Sequence, residues 1–367
     1  MKPKYLYIDD ENPDALKSIV NGFNDVGEIE VELVDLSKLR DFESLKQYIC
    51  EQNPDGLILD LRLDGDGQNR LSFPATTFAQ DLRTLAVSGD VKFFPLILCS
   101  TSPKMRATYD VDKTSHDLFD YKFEKSDTPE WKKFSIKLKS IANSYKWLNE
   151  RKRTVEEILN REDWQQFDSR IFEKFIDKEQ DLKVNDIAQF VIKELFNHPG
   201  ILIKERTVAA RLGVDIDASG NEWNRLKKEF LEDCMYNGAF GNGWERWWFD
   251  RIASKFQSIS KGEKLQNLNA SQRVEILSKL GFTLISAKPI EPYCKSSEFW
   301  TVCEYYKTPL DPLEGFKIYE STELKPWQEP KFLSFSAELE RKGRDRGLRP
   351  HPSELQNVKD LKEMLSK

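Results

Sequence analysis

Short apolar runs alternate with amphipathic stretches over the first 150 residues of the chain. Runs with strand character are Tyr5–Ile8, Ile29–Val34, Gly56–Leu61, Phe94–Cys99 and Asp120–Lys125. Between and after them, apolar residues at helical spacing predict helices over Pro13–Phe23, Phe42–Cys50, Thr77–Val87 and Trp131–Trp147. This alternation predicts an α/β fold, a doubly wound five-stranded parallel sheet with helices on both faces.

The pattern changes in the second half of the chain. Helices are predicted over Phe167–Phe175, Val184–Phe196, Glu205–Leu212, Glu222–Tyr236, Trp244–Phe256 and Asn269–Leu280. Two later runs, Phe282–Ser286 and Phe299–Tyr306, have strand character and are expected to pair. We therefore predict a front core over 1–130, a linker helix over 131–160, a helical domain over 161–260, a small α+β or winged segment over 261–330, and a polar, partly basic tail over 331–367.

Composition supports the division into two modules. The 367 residues carry a net charge of −6, but residues 1–130 hold 15 basic and 25 acidic residues against 41 and 37 in the rest. All nine Trp lie at residue 131 or beyond. The five Cys are scattered, with no C-x-x-C pair, which argues against a zinc site. We see no leader peptide and no membrane span, so a cytoplasmic location is expected.

Groups with chemical potential collect at the carboxyl ends of the predicted strands, where parallel sheets carry their functional residues. Asp9 and Asp10 follow the first strand, Asp60 lies near the end of the third, Ser100 ends the fourth and Lys125 ends the fifth. Three neighbouring carboxylates repel one another unless a cation lies among them. Mg²⁺, with its preference for oxygen ligands, fits best. The hydroxyl and the ammonium suit an anion on the central carboxylate, such as a phosphoryl group.

Four segments carry a specific resemblance. YLYIDDENP, GLILDLRLDGDG, FPLILCSTS and FDYKFEKSD stand in the order of the site motifs of a known domain. Over about residues 1–150 the chain resembles the CheY-like receiver domain of two-component response regulators, which are bacterial phosphoproteins. The back module resembles no family that we recognise.

The resemblance implies a role for each site residue. Asp60 would accept a phosphoryl group from a histidine kinase, a phosphotransfer protein or a small phosphodonor. Asp10 and Asp60 would hold Mg²⁺ directly, Asp9 through water, and Arg62 through its backbone carbonyl. Ser100 would hydrogen-bond the phosphoryl oxygens and Lys125 would pair with them.

The sequence also departs from the family pattern. Asp64 and Ser126 stand where the family usually has proline. Lys122 is an alternative to Lys125, and either Tyr121 or Phe123 is the expected switch aromatic. Acidic residues at strand ends also cap helices, so a degenerate receiver that is never phosphorylated is the alternative interpretation.

Trp131–Leu159 has two interpretations. It is either a signalling helix that extends beyond the receiver, with dimer contacts, or the last receiver helix followed by a connector.

The back module contains one segment similar to a helix-turn-helix. TVAARLGV, with a turn at Gly213, precedes a helix that carries Arg225, Lys227 and Lys228, residues suited to phosphates. The intervening VDIDASGNE is acidic and too long for the tight turn, so a helical hairpin in a fold that does not bind DNA is at least as compatible.

Tryptophans and basic residues mark two further stretches. Trp244, Trp247 and Trp248 are predicted to share one helical face, with Arg246 and Asp250 as neighbours on another. We interpret this helix as a buried anchor, with a partner or ligand pocket as the alternative. The basic stretch 341–349 resembles a mobile arm for an acidic partner, although a solvated tail is commoner.

The output of the chain is therefore ranked from its charge and its residues. Output by protein–protein interaction comes first, because a net of +4 beyond residue 130 is small for DNA binding. DNA binding is second. An enzymatic output is third, because no Ser/His/Asp or Cys/His set is recognisable around His116, His198 or His351. Expected partners are a histidine kinase or phosphotransfer protein and a downstream protein, with a homodimer left open and no membrane.

Overall fold

The computed structural model describes residues 2–65, 67–101, 117–125, 130–177, 182–320 and 322–366. Its internal contacts divide the chain into two units. The front unit contains Met1–Glu194 and Asn237–Trp244, and the back unit contains Leu195–Tyr236 and Glu245–Lys367. The finer domain boundaries stay a prediction. Among the helices of the described residues, none combines the length and the apolar character that a bilayer crossing requires.

One five-stranded sheet forms the centre of the front unit. Its strands, β1 to β5, are Lys4–Ile8, Glu30–Leu33, Gly56–Asp60, Leu96–Ser100 and Tyr121–Glu124. They lie in the order β2-β1-β3-β4-β5, and every pairing is parallel. This confirms the predicted doubly wound α/β fold. The winding direction reverses between β1 and β3, which in open parallel sheets creates a crevice at the carboxyl ends of those strands.

The helices between the strands begin and end at local signals. They are α1, α2 and α3, spanning Pro13–Val26, Phe42–Gln52 and Ala75–Ser88. The Asn12 side chain caps α1 by accepting a hydrogen bond from the N–H of Asp14 at 2.9 Å. Gly27 and Gly89 end α1 and α3 in the left-handed conformation. Each helix runs beyond its last predicted residue, because a cap rather than the last apolar residue stops it.

A long helix after β5, α4, spans Trp131–Glu150 and packs on the sheet. The hydroxyl of buried Tyr5 on β1 donates to the carbonyl of Leu138 in α4 at 2.7 Å. The rings of Phe123 on β5 and Phe134 on α4 stack with centroids 5.1 Å apart. This helix therefore belongs to the layer that covers the receiver-like sheet.

The helical conformation ends directly after α4. Arg151 is extended, and Thr154 and Glu157 form a capping box that starts a separate short helix, α5, over Val155–Leu159. A continuous signalling helix over Trp131–Leu159 is thus wrong. The other interpretation, a last receiver helix followed by a connector, agrees with the structure.

A buried polar network lies at the amino end of β5. Asp120, 1% exposed, accepts from the Tyr145 hydroxyl at 2.7 Å and from the N–H of Leu96 at 2.9 Å. Arg83 pairs with the same carboxylate at 2.8 Å and donates to the carbonyls of Leu118 and Phe94. The network joins α3, α4, β4 and β5 through charge-assisted hydrogen bonds.

The rest of the front unit contains shorter helical pieces. Helices α6 and α7 span Glu173–Asp177 and Val184–Ala188, and a π-helical turn, Gln189–Leu195, follows. The helix predicted over Val184–Phe196 is thus present but changes its winding midway.

The back unit is mainly helical with small sheets, as predicted. Helices α8 to α14 are Glu205–Leu212, Ile216–Ser219, Asn221–Glu229, Phe249–Ile259, Ala270–Ser278, Phe335–Leu339 and Leu355–Leu365. Strands β6 to β11 are Leu202–Ile203, Trp247–Trp248, Thr301–Val302, Pro309–Leu310, Gly315–Lys317 and Phe332–Ser334. They form the antiparallel pairs β6–β7, β8–β9 and β10–β11.

The tryptophan helix is a wrong prediction. Trp247 and Trp248 form β7, and α11 begins only at Phe249, so the shared helical face and the Arg246–Asp250 spacing do not exist. Both side chains are 1% exposed. Their burial agrees with an anchoring role. Because consecutive residues of a strand point to opposite sides, the two rings do not share one face.

Two further expectations for the back half are wrong. The run Phe282–Ser286 does not pair with Phe299–Tyr306, because β8 pairs with β9 and Ser286 bridges Val214 instead. The tail after 331 contains β11, α13 and α14, so it is not a mobile arm. Its Arg344 pairs with buried Glu338 at 2.6 Å.

Candidate metal centre

Three carboxylates meet in the crevice between the carboxyl ends of β1 and β3. Asp9 and Asp10 follow β1 and Asp60 ends β3, and each is at most 2% exposed. One oxygen from each lies within 4.8 Å of the others. The reversal of winding between the two strands brings these residues together, 50 positions apart in the sequence.

Lys125 provides the cation that faces them. Its ammonium lies 2.6 Å from Asp9 Oδ2 and 3.0 Å from Asp60 Oδ1, and 3.7 Å from the half-exposed Glu11. Lys122 is exposed on β5, so Lys125 rather than Lys122 reaches the carboxylates. Counted over the described residues, three carboxylates and one ammonium give the buried cluster excess negative charge.

Asp9 is the most heavily hydrogen-bonded of the three. The Tyr7 hydroxyl donates to its Oδ2 at 2.5 Å and the N–H of Glu11 donates to its Oδ1 at 3.1 Å. Burial raises the pKa of Asp9, Lys125 opposes that rise and the charge of Asp60 adds to it. Burial also disfavours the charged form of Lys125, but Asp9 and Asp60 outweigh burial and raise its pKa.

The loop after β3 closes over Asp10 through a glycine. The N–H of Gly67 donates to Asp10 Oδ2 at 3.0 Å. A Cβ on Gly67 would lie 2.3 Å from the Asp10 carbonyl oxygen and 2.4 Å from Oδ2. Only glycine permits this approach, so the loop after β3 is packed against the site.

Asp60 is held by its own strand end. Its Oδ2 accepts from the N–H of Arg62 at 2.8 Å. The Arg62 carbonyl accepts from Gly65 N–H at 3.1 Å, which leaves that oxygen a second lone pair. The Arg62 guanidinium pairs with Asp64 at 3.1 Å, so the residue in the usual proline position makes an ion pair. Ser126, the other departure, lies outside the described residues.

Two buried oxygens of the site lack hydrogen bonds within the described part of the chain. Ser100 Oγ, on a residue with 0% exposure, has none, and Asp60 Oδ1 has only the ion pair with Lys125. Buried polar atoms in folded proteins seldom lack a hydrogen-bond partner. Oxygen ligands, excess negative charge and an unpartnered hydroxyl together fit a hard divalent cation and an anion that bridges it to Ser100 and Lys125.

The sequence alone missed three contributors to this site: Tyr7, Glu11 and Gly67. A signal existed for Tyr7, because residues two apart on a strand share a face and Tyr7 precedes Asp9 by two. Gly67 lies inside the GLILDLRLDGDG segment, but its contact with Asp10 depends on the loop path. Phe123, an expected switch aromatic, is buried against Phe134, whereas Tyr121 is half-buried.

The helix-turn-helix residues of the back unit have intramolecular partners. Arg225 pairs with Glu222 at 2.9 Å and donates to the Gly281 carbonyl at 2.7 Å. Lys227 pairs with Glu205 at 2.6 Å, and the acidic insert folds as α9 instead of a tight turn. Lys228 is exposed. The predicted phosphate-binding face is thus largely neutralised by its own acids.

The chain is similar to solved structures of receiver domains. The signal receiver domain of a modulated diguanylate cyclase from Desulfovibrio desulfuricans is 16% identical, with a TM-score of 0.29 over 40% of this chain and 98% of that one. A signal receiver domain from Vibrio parahaemolyticus is 14% identical, with a TM-score of 0.28 over 40% and 95%. The phosphorylated cyanobacterial phytochrome response regulator RcpA is 18% identical, with a TM-score of 0.25 over 42% and 98%.

No family model and no curated protein matches the chain. The strand order β2-β1-β3-β4-β5 is itself that of the flavodoxin-like doubly wound sheets to which CheY belongs. The front unit thus has the flavodoxin-like doubly wound fold, with the strand order that CheY also has.

Proposed function

We propose that the chain is a response regulator whose Asp60 accepts a phosphoryl group in the presence of Mg²⁺. One observation carries the proposal: among the described residues, a buried cluster of three carboxylates faces one ammonium and a serine hydroxyl that has no hydrogen bond there. A fully structural charge cluster would satisfy its polar atoms internally. In this one, Ser100 Oγ and Asp60 Oδ1 have no hydrogen bond within the described residues, and they lie at a sheet edge where α/β folds bind ligands.

The reaction is phosphoryl transfer to a carboxylate. An Asp60 oxygen attacks the phosphorus of a phosphohistidine or of a small phosphodonor, and the bond from phosphorus to the leaving group breaks. The product is an acyl phosphate on Asp60, and the leaving imidazole takes up a proton from solvent. Asp10 and Asp60 would hold Mg²⁺ directly, Asp9 through water and Arg62 through its carbonyl. The ion, when bound, offsets the charge of the transferring group.

Lys125 and Ser100 position the transferred group. Lys125 already lies 3.0 Å from Asp60 Oδ1, so it can pair with a phosphoryl oxygen on that atom. Ser100 Oγ, with no hydrogen bond inside the described residues, donates to a second phosphoryl oxygen. Preorganised donors of this kind stabilise charge without reorganisation during the reaction.

The partners follow from the same chemistry. A histidine kinase or phosphotransfer protein in the cytoplasm supplies the phosphoryl group, and the back unit gives the output by contact with a downstream protein. The ion pairs of Arg225 and Lys227 with Glu222 and Glu205 support a protein partner over DNA, because paired cations release few counterions from a nucleic acid.

Intact-mass measurement after incubation with acetyl phosphate and Mg²⁺ tests the proposal. We expect a gain of one phosphoryl group that disappears in Asp60→Asn and when the divalent ions are chelated. Asp64→Asn, a change of a more exposed acid four residues away, is the matched control and keeps the gain. No gain in the unaltered protein, or a gain that survives Asp60→Asn, would overturn the assignment.

A further inference from the structure

A stretch from the second half of the sequence packs inside the front unit. It is Asn237–Trp244, here called the docked segment, and its sequence neighbours Tyr236 and Glu245 both belong to the back unit. The chain therefore leaves the back unit after Tyr236 and re-enters it at Glu245. The segment lies against α4 and β5.

Backbone hydrogen bonds anchor the docked segment. The N–H of Phe240 donates to Ser144 Oγ at 2.8 Å, and its carbonyl accepts from Ser140 Oγ at 2.8 Å. The N–H of Ala239 donates to the carbonyl of Ile158 at 2.8 Å. Three bonds to α4 and α5 thus fix two consecutive residues.

The segment also approaches α4 so closely that a side chain at Gly243 would be crowded. A Cβ on Gly243 would lie 3.0 Å from Ser140 Cβ and 3.1 Å from Lys137 Cα. The ring of Trp244, which is 7% exposed, meets the Tyr121 ring edge-on at 5.8 Å. The Lys137 ammonium lies 4.9 Å from the Tyr121 ring and 5.3 Å from the Trp244 ring, a favourable cation–π arrangement.

Phe240 shows that docking imposes a costly conformation. Its φ is +65°, in the left-handed region that bulky residues avoid. Its ring is 1% exposed and meets Tyr145 edge-on. Such conformations persist only where the surroundings hold them, so weaker contacts with α4 and β5 would release the segment.

Strand β5 connects this surface to the metal centre. Tyr121, which contacts Trp244, begins the strand, and Lys125 follows its end. Lys125 N–H donates to the Ser100 carbonyl at 2.9 Å, and its ammonium pairs with Asp9 and Asp60. A phosphoryl group on Asp60 replaces the partners of Lys125 and gives Ser100 an acceptor, so both neighbouring strand ends change their contacts.

We propose that the front unit holds the docked segment while Asp60 is unmodified and releases it when Asp60 is phosphorylated. The inference rests on the proposed function. It adds the structural change within the chain by which phosphorylation of Asp60 would reach the back unit. The segment's covalent neighbours carry the change into the back unit. Because coupling between two sites is reciprocal, loosening the segment must strengthen binding of a phosphoryl mimic at Asp60.

Hydrogen exchange on the full chain tests the release. The amides of Ala239 and Phe240 are specific reporters, because their acceptors lie outside the segment, whereas Gly243 and Trp244 bond within it. With acetyl phosphate and Mg²⁺ we expect the Ala239 and Phe240 amides to exchange at least about tenfold faster. Asp60→Asn under the same conditions keeps the slow exchange.

A variant pair tests the reciprocal effect. Gly243→Val inserts a side chain against Ser140 and Lys137, whereas Asn242→Ala changes the exposed neighbouring residue. We expect Gly243→Val to bind beryllofluoride, a reversible phosphoryl mimic, with Mg²⁺ about fivefold or more tightly in calorimetry. Asn242→Ala should match the unaltered protein.

The outcomes separate the two proposals. If the unaltered protein shows no phosphoryl mass gain, the proposed function fails and this inference fails with it. If the mass gain is present but exchange at Ala239 and Phe240 is unchanged, only this inference is overturned. The exchange measurement on the unaltered protein decides the matter even if Gly243→Val does not fold.

Discussion

The front unit buries charge at both edges of one sheet, and the two clusters differ in how completely they are satisfied. At the amino edge, Asp120 accepts hydrogen bonds on both oxygens and Arg83 balances its charge. At the carboxyl edge, three carboxylates lie together near Lys125, and Ser100 Oγ lacks a hydrogen bond to the described residues. Within the described residues, every oxygen of the first carboxylate is satisfied, whereas the second cluster contains buried oxygens without hydrogen bonds.

The difference teaches how to separate structural from functional charge. Burial alone does not do so, because Asp60 and Asp120 are each 1% exposed. The two clusters differ instead in how many carboxylate and hydroxyl oxygens have hydrogen bonds, and in their local net charge. A closed network contributes to the free energy of unfolding, whereas an open one sacrifices stability until a ligand arrives.

The largest expected loss of stability comes from a substitution that breaks the closed cluster around Asp120. Arg83→Met leaves Asp120 as a buried unpaired charge, so the free energy of unfolding should fall by about 3–5 kcal/mol in urea denaturation. Arg70→Met, a change of an exposed arginine, should cost less than about 0.5 kcal/mol. Asp60→Asn should cost little or stabilise the protein, because it removes like-charge repulsion. Equal losses for Arg83→Met and Asp60→Asn would contradict the comparison.

A smaller effect is expected from one hydrogen bond of the same cluster. Tyr145→Phe removes the donor to Asp120 Oδ1 and should lower the free energy of unfolding by about 2 kcal/mol, since the acceptor is charged. In an Asp120→Asn background the loss should shrink. An unchanged loss there would mean that packing of the ring, and not the hydrogen bond, is responsible.

Magnesium should act on the open cluster only. At ten times its dissociation constant, Mg²⁺ should raise the free energy of unfolding by about 1.4 kcal/mol. Asp10→Asn should abolish the gain and Arg83→Met should retain it, because Arg83 lies at the other edge of the sheet. Thermal unfolding with and without the ion measures both. A gain that persists in Asp10→Asn would place the ion elsewhere.

The smallest effect on stability is expected at Ser100. Ser100→Ala removes a hydroxyl without a hydrogen bond inside the described residues, so the free energy of unfolding should change by less than about 0.5 kcal/mol. Phosphorylation of Asp60 by acetyl phosphate should nevertheless slow by about tenfold or more. A clear loss of stability without a loss of rate would make Ser100 a structural residue.

Local sequence signals predicted the front unit well. Strands β1 and β3 were predicted within one residue at each end, because continuous apolar runs mark buried parallel strands. The positions of Asp9, Asp60, Ser100 and Lys125 at the ends of their predicted strands are enough to predict that all four lie at one sheet edge. Their hydrogen bonds, and the closed network around Asp120, depend on side-chain directions that periodicity does not specify.

The back half shows where such signals fail. Trp244, Trp247 and Trp248 have helical spacing but lie in a turn and a strand, because pairing with β6 overrides local preference. The polar tail folds through β11, whose partner β10 lies upstream. Non-local pairing was not visible in either segment.

The sequence by itself determined the elements of the front unit, their order and the residues at the ends of its strands, because apolar periodicity and capping are local properties of the chain. The tertiary structure alone decided which charges are satisfied and which are left open. It also decided that Asn237–Trp244 packs on α4. These outcomes depend on approaches of a few ångströms between residues far apart in the chain, as at Gly67 beside Asp10 and Gly243 beside Ser140. Such distances are set by packing of the whole unit.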